Sequence, residues 1–167
     1  MKCKANLFVE IAPVKAFLAD LPEMDRDGLA AIVVSSYEVD AKRLQMLQHS
    51  LLLHFDDVNR PMKGAFTEAD GEKIRAFVEG LEGIGRLYVC CDRGESRSAA
   101  MAAAITRFFG QNEWVIWDDP RYHPNPMVYQ LTCRALGLRA GKWAISRRLR
   151  RSRQALTRAI KRARSKR

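Results

Sequence analysis

A thiol at Cys91 and a guanidinium at Arg97 lie six residues apart, in the stretch Cys90-Cys91-Asp92-Arg93-Gly94-Glu95-Ser96-Arg97-Ser98. Ahead of it, Arg86-Leu87-Tyr88-Val89 has the β-branched and aromatic content of a buried strand. Behind it, Ala99-Ala100-Met101-Ala102-Ala103-Ala104-Ile105 is rich in strong helix formers. A strand that turns through a tight, Gly-containing loop into a helix converges backbone N–H groups on one point. The helix dipole adds partial positive charge there, so the loop suits an anion and phosphate in particular. A thiol facing such a concavity loses its proton readily, its pKa moving from about 8.5 into a range of roughly 3.5–7.5. A guanidinium opposite can hold two phosphate oxygens in its planar fork. Nucleophile, anion cradle and charge clamp therefore share one short loop.

Cys91-x5-Arg97, with Gly94 three residues after the Cys and Ser98 directly after the Arg, resembles the signature of the protein tyrosine phosphatase superfamily in its small dual-specificity form. The resemblance covers residues 30–137. It departs at Cys90, where the family usually has a His that supports the nucleophile from behind. What it implies is phosphomonoester hydrolysis in two steps through a phosphocysteine. Cys91 would be the nucleophile and Arg97 the phosphate clamp. Asp92, Arg93, Gly94, Glu95 and Ser96 would form the rest of the substrate-binding loop, Glu95 and Ser96 through their backbone N–H groups. Asp92 and Arg93 are expected to point outward, where Arg93 would favour acidic substrates. Ser98 would position the hydrolytic water or hydrogen-bond the thiolate.

The departing oxygen also needs a proton. In the resembled family an Asp supplies it from a loop upstream of the nucleophile. Asp57 is 34 residues before Cys91 and Asp56 is 35 before, both at the end of a strand. Asp57, next to the apolar Val58, fits the family pattern better and is preferred, with Asp56 second. Asp118-Asp119-Pro120 is a rival, because low-molecular-weight tyrosine phosphatases use an Asp-Pro downstream of the nucleophile. Their Cys lies near the N-terminus, however, and Asp119 is sufficiently explained by a turn. Pro124-Asn125 resembles the Pro-Asn that packs beneath the phosphate loop in dual-specificity phosphatases; helix capping explains it equally well. Cys90 reads as a small buried hydrophobe rather than a redox partner, because successive strand residues face opposite ways. His49, His54 and His123 have no metal-ligand company, so neither metal nor cofactor is expected.

The surrounding elements must deliver these residues to one place. Strands are predicted over residues 7–11, 29–34 and 51–55 and before Cys91. Helices are predicted over 13–19 with Pro13 at the first position, over 41–48 capped by Asp40, and after the capping box Thr67-Glu68-Ala69-Asp70. Two more should follow, one to Phe109 and one over 126–136 capped by Asn125 and ended by Gly137, with residues 112–122 irregular between them. The alternation predicts an α/β single domain: a central, mostly parallel sheet with helices on both faces, and the phosphate-binding loop between a central strand and a helix.

Charge divides the chain. Residues 1–119 hold 14 Lys/Arg against 19 Asp/Glu, and residues 120–167 hold 15 Lys/Arg and no acid. A phosphatase domain over 1–141 followed by a basic, helical tail over 142–167 is the expected division. In the tail Leu149, Leu156, Ile160 and Ala163 form a helical stripe on a basic face. That pattern suits a partly packed terminal helix, or contact with nucleic acid or an anionic membrane. No run of 18 apolar residues appears, residues 1–6 lack an apolar signal region, and a catalytic thiol requires reducing conditions. A cytoplasmic location is expected. Phosphotyrosine proteins, with phosphoserine and phosphothreonine as further targets, are the expected substrates. The alternatives are a phosphoinositide or RNA 5′ phosphate treated by the same chemistry, and a protein that only binds phosphate.

Overall fold

The strand that ends in Cys91 is flanked by a strand on each side. The computed structural model describes residues 7–165, so Cys3, Lys166 and Arg167 lie outside the described residues. Among these, β1 (Phe8–Pro13), β2 (Leu29–Ser35), β3 (His49–His54) and β4 (Arg86–Cys91) form one sheet in the order β1-β4-β2-β3. Every neighbouring pair is parallel, with Pro13 opposite Cys91 and Val33 opposite Cys90. A parallel sheet needs cover on both faces, and all seven residues of β2 are buried.

One face packs against α1 (Val14–Asp20) and α2 (Ala41–Leu44), through Phe17, Leu18, Leu44, Ala31, Val33 and Cys90. The other packs against α3 (Glu68–Glu79), α4 (Arg97–Phe108) and α6 (Pro126–Ala135), through Ile74, Met101, Val128, Ile32, Val89 and Cys91. Side chains alternate along a strand, so Cys90 and Cys91 enter different cores. Burial, with the neighbouring Cys91 thiolate second, pushes the Cys90 thiol pKa well up. Cys90 is therefore a neutral core residue. Ten of the twelve residues of α4 are buried, as expected of a helix that is apolar nearly all round.

Several boundaries differ from the sequence expectation. Pro13 ends β1 instead of opening the helix, which starts at Val14. The helix capped by Asp40 stops at Leu44, because β3 begins at His49 to pair with Ala30. Within the stretch expected to be irregular, α5 (Trp114–Trp117) makes one helical turn. The capping box of Thr67 and Asp70 and the Asn125 cap both form.

The basic C-terminal region is a helix, α7 (Lys142–Arg164), and its first half is part of the body. Ile145, Arg148 and Ser152 are buried. Arg148 donates to the buried Glu113 from Nη2 at 2.5 Å and from Nε at 3.2 Å. Tyr129 Oη and Trp117 Nε1 donate to the same carboxylate at 2.7 and 3.1 Å. One anion thus joins α5, α6 and α7. Glu113→Ala would strand a buried guanidinium and two donors, a loss of about 3–5 kcal/mol, expected as a lower urea midpoint. A midpoint equal to wild type would show that the cluster adds nothing to stability. No described helix is long and apolar enough to cross a membrane.

Candidate active site

Between β4 and α4 the chain makes a loop whose shape depends on Gly94. Its φ is +69°, and a Cβ there would come within 2.6–2.9 Å of the Ala12 and Pro13 backbone and the Pro13 ring. Only glycine allows the loop to press this closely on the end of β1. The Gly94 N–H returns to the Cys91 carbonyl at 3.1 Å. From outside, the His123 N–H donates to the Glu95 carbonyl at 2.9 Å and the Asn125 N–H to the Ser96 carbonyl at 3.3 Å. With those carbonyls held outward, the N–H groups of Glu95, Ser96 and Ser98 hydrogen-bond the Cys91 sulfur.

Burial opposes ionisation of Cys91, but the Ser98 hydroxyl and these three N–H groups outweigh it and bring the thiol pKa below its ordinary value. Ser98 Oγ lies 3.0 Å from Sγ and is fully buried; its hydroxyl donates once the sulfur is charged. Ser98→Ala removes one of the bonds that favour thiolate. The acid limb of the pH profile for kcat/KM should then move to higher pH, because a larger share of the sulfur stays protonated near neutrality. An unmoved limb would mean that Ser98 acts on a later step.

Arg97 is 4% exposed. Its Nη1 donates to the Phe55 carbonyl at 2.6 Å and to Ser36 Oγ at 2.9 Å, and its Nη2 to Asp92 Oδ2 at 2.5 Å. Nε is buried with no partner among the described residues. An orphaned donor in an anion cradle is a group prepared for a ligand oxygen.

Asp92 does not point outward as expected. It accepts from Ser35 Oγ at 2.5 Å and from the Ser36 N–H at 3.2 Å, besides Arg97. Burial raises its pKa, but these bonds prevail and hold the carboxyl below its usual range. Asp92 is a brace between the arginine and the end of β2. Arg93 is the exposed member of the pair, with Nη2 at 3.3 Å from Glu95.

A cavity of about 380 Å³ opens over the loop, lined by Ser36, Tyr37, Asp57, Cys91, Asp92, Arg93, Glu95, Ser96, Arg97 and His123. Asp57 is on its wall. Its Oδ1 accepts from Ser96 Oγ at 2.9 Å and from Asn125 Nδ2 at 2.8 Å, which leaves Oδ2 free of both bonds. Asp56 is elsewhere: its N–H bonds the Gly64 carbonyl at 2.7 Å and its carboxylate covers Gly64. Asp119 is paired with Arg121 at 2.6 Å, and that hydrogen bond, first among the causes, lowers its pKa. It does not line the cavity. Asn125 does two things at once, capping α6 through Oδ1 and holding Asp57 through Nδ2. No group of His, Cys, Asp and Glu among the described residues could hold a metal ion.

Sequence reasoning missed Ser35, Ser36, Tyr37 and His123. The first three follow directly from the end of β2, the strand beside β4, where parallel sheets gather their binding groups. That adjacency was the available signal.

No family model matches the chain. The V(D)J recombination-activating protein 1 of Oryctolagus cuniculus is 31% identical over 146 residues, 83% of this chain, and that of Sus scrofa gives the same figures. The chain spans 13% of the length of these curated relatives. Among solved structures, the human tyrosine phosphatase-like serine/threonine/tyrosine-interacting protein is similar with a TM-score of 0.51 and 20% identity, over 78% of this chain and 91% of that one. PTPMT1 covers 96% of this chain and 98% of its own, at a TM-score of 0.49 and 17% identity. The core catalytic domain of the PP-IP phosphatase SIW14 from S. cerevisiae has a TM-score of 0.44 and 15% identity, over 84% of this chain and 77% of that one. In this chain a parallel sheet ends in a Cys-x5-Arg loop from which the next helix rises, and its likeness to the first of these structures shows the fold: the chain has the protein tyrosine phosphatase fold.

Proposed function

We propose that this protein is a cysteine-dependent phosphomonoester hydrolase whose substrates are phosphotyrosine proteins, with phosphoserine and phosphothreonine as further targets. The observation that carries this is the placement of a thiol with a lowered pKa, a buried guanidinium and Asp57 around one cavity. In the first step the Cys91 thiolate attacks phosphorus, the P–O bond to the leaving group breaks, and protonated Asp57 gives its proton to the departing oxygen. Loop N–H groups and Arg97 hold the three equatorial oxygens, where charge is spread in the transition state. In the second step Asp57, now a carboxylate, takes a proton from water as the water attacks phosphorus. The S–P bond breaks, phosphate leaves, and the Ser98 hydroxyl stabilises the thiolate that is restored.

Tyr37 supports an aryl substrate. It lines the cavity yet is 73% exposed, so its ring is available to stack on the phenyl ring of a phosphotyrosine. Turnover should be measured on phosphotyrosyl, phosphoseryl and phosphothreonyl peptides, a phosphoinositide and an RNA 5′ phosphate. Higher kcat/KM on the phosphotyrosyl peptide is expected. Preference for either non-protein substrate would overturn the protein assignment and leave the chemistry standing.

Asp57→Asn should slow an alkyl phosphate by roughly 10²–10⁴-fold and an aryl phosphate with a good leaving group much less, since that oxyanion needs no proton. Equal losses on both substrates would assign Asp57 a structural role, bracing Ser96 and Asn125.

A further inference from the structure

The helix α7 changes character after Ser152. Up to that point three of its four arginines meet the body: Arg148 bonds Glu113, Arg151 bonds Asp118, and Arg147 lies 5.5 Å from the centre of the Trp114 ring, while Arg150 is exposed. Its last hydrogen bond to another element, among the described residues, is that of Ser152 Oγ to the Tyr122 carbonyl. From Arg153 to Ser165 every residue is exposed except the half-buried Ala155 and Ala159. This projecting half carries Arg153, Arg158, Lys161, Arg162 and Arg164, no acid, and no ion pair among the described residues. Leu156 and Ile160 are 36% and 46% exposed.

At 100° per residue the two kinds of side chain separate completely. Ala155, Leu156, Ala159, Ile160 and Ala163 fall on one side, continuing the stripe that Ile145 and Ser152 bury against the body. The five basic residues fall on the other side. A helix that needed only to be soluble would mix signs, since like charges four apart, as at Arg158 and Arg162, repel. Here nothing in the described chain relieves that repulsion. An anionic surface does so, and it also accepts the apolar stripe, while the long basic side chains reach outward to lipid phosphates. A nucleic acid would answer the charge but leave Leu156 and Ile160 in water. A second copy would cover the stripe while bringing two groups of five cations together.

We propose that residues 153–165 of α7 form a docking surface for anionic membrane, with Leu156 and Ile160 inserted. The docked half of α7 supplies the helical nucleus, so the projecting half need only propagate it. The body would thereby be held at the membrane while the phosphate cavity keeps its own chemistry.

The full chain should be sedimented with phosphatidylcholine vesicles, with and without phosphatidylserine. Binding to the anionic vesicles alone is expected, falling steeply with added salt. Replacing Arg153, Arg158 and Arg162 by Gln should lower the partition coefficient on the order of 100-fold. Leu156→Ser with Ile160→Ser should lower it by at least about tenfold, with the thermal melt and turnover of a small aryl phosphate unchanged. Absence of binding to anionic vesicles would overturn the proposal, as would binding unaffected by the Ser pair. So would a self-associating chain whose dimer is lost in the Ser pair, or tighter binding to single-stranded RNA or duplex DNA that ignores the Ser pair.

Discussion

Cys91→Ser should lower turnover of an aryl phosphate by at least about four orders of magnitude, while inorganic phosphate still binds. The two halves of this result have separate physical origins. Turnover depends on a sulfur that is ionised near neutral pH, and the hydrogen bonds that make it so cannot ionise an alcohol. Binding depends on the loop N–H groups and on Arg97. These are fixed by Gly94 against β1, by the backbone bonds from His123 and Asn125, and by the brace at Asp92. None of those supports passes through the sulfur. The variant even removes a negative charge that repels the bound anion. Cys90 is no substitute nucleophile, because it is buried in the core on the opposite face of the sheet. Isothermal titration with phosphate and a rapid-quench search for a phosphorylated protein would check both halves. Residual turnover above about one per cent of wild type would remove Cys91 from the mechanism. Loss of phosphate binding in a variant that still melts cooperatively would show that the sulfur organises the loop.

What sequence made legible in this site follows a physical pattern. The gathering of Cys91, Gly94, Arg97 and Ser98 in one loop was readable because it comes from local geometry: a strand end, a left-handed glycine and the first turn of a helix lie within a few residues of each other. Asp57 was separable from Asp56 only by a family pattern, and the structure supplies the physical difference, a side chain on the cavity wall against one folded over Gly64. The inward direction of Asp92 was not readable. It is set by Ser35 and Ser36, more than fifty residues away in the chain, and depends on β2 lying beside β4. The docking of α7 was hidden for a related reason. Among the many arginines of α7, Arg148 is the one that meets Glu113, which Arg107 of α4 also approaches, and which α7 arginine does so depends on where the helix starts and how it is rotated. Composition showed a basic tail; only packing divides it into a docked half and a projecting one.

Arg97→Lys should reduce kcat/KM roughly 10³-fold, nearly as much as Arg97→Ala, although the charge is kept. The guanidinium here performs two tasks in two directions. Nη1 and Nη2 tie it to the Phe55 carbonyl, Ser36 and Asp92, and Nε remains for an oxygen of the phosphate. Because the group is planar, satisfying the first set fixes the direction of the remaining donor. An ammonium has one nitrogen and three donors. If it stays with Asp92 and the Phe55 carbonyl, the phosphate loses its directed contact; if it turns to the phosphate, a half-buried carboxylate and a buried carbonyl lose theirs. Either way the transition state loses the contact that the planar group directs at it. Asp92→Asn tests the same geometry from the other side, since it keeps the arginine and weakens the brace, and its loss should be real but smaller. The ratio of kcat to KM effects separates this account from a structural one. If Arg97 only joined β2 to the loop, Arg97→Lys would lower the melting temperature and leave kcat per folded molecule close to wild type. If it holds the transition state, kcat falls in a protein whose melt moves little.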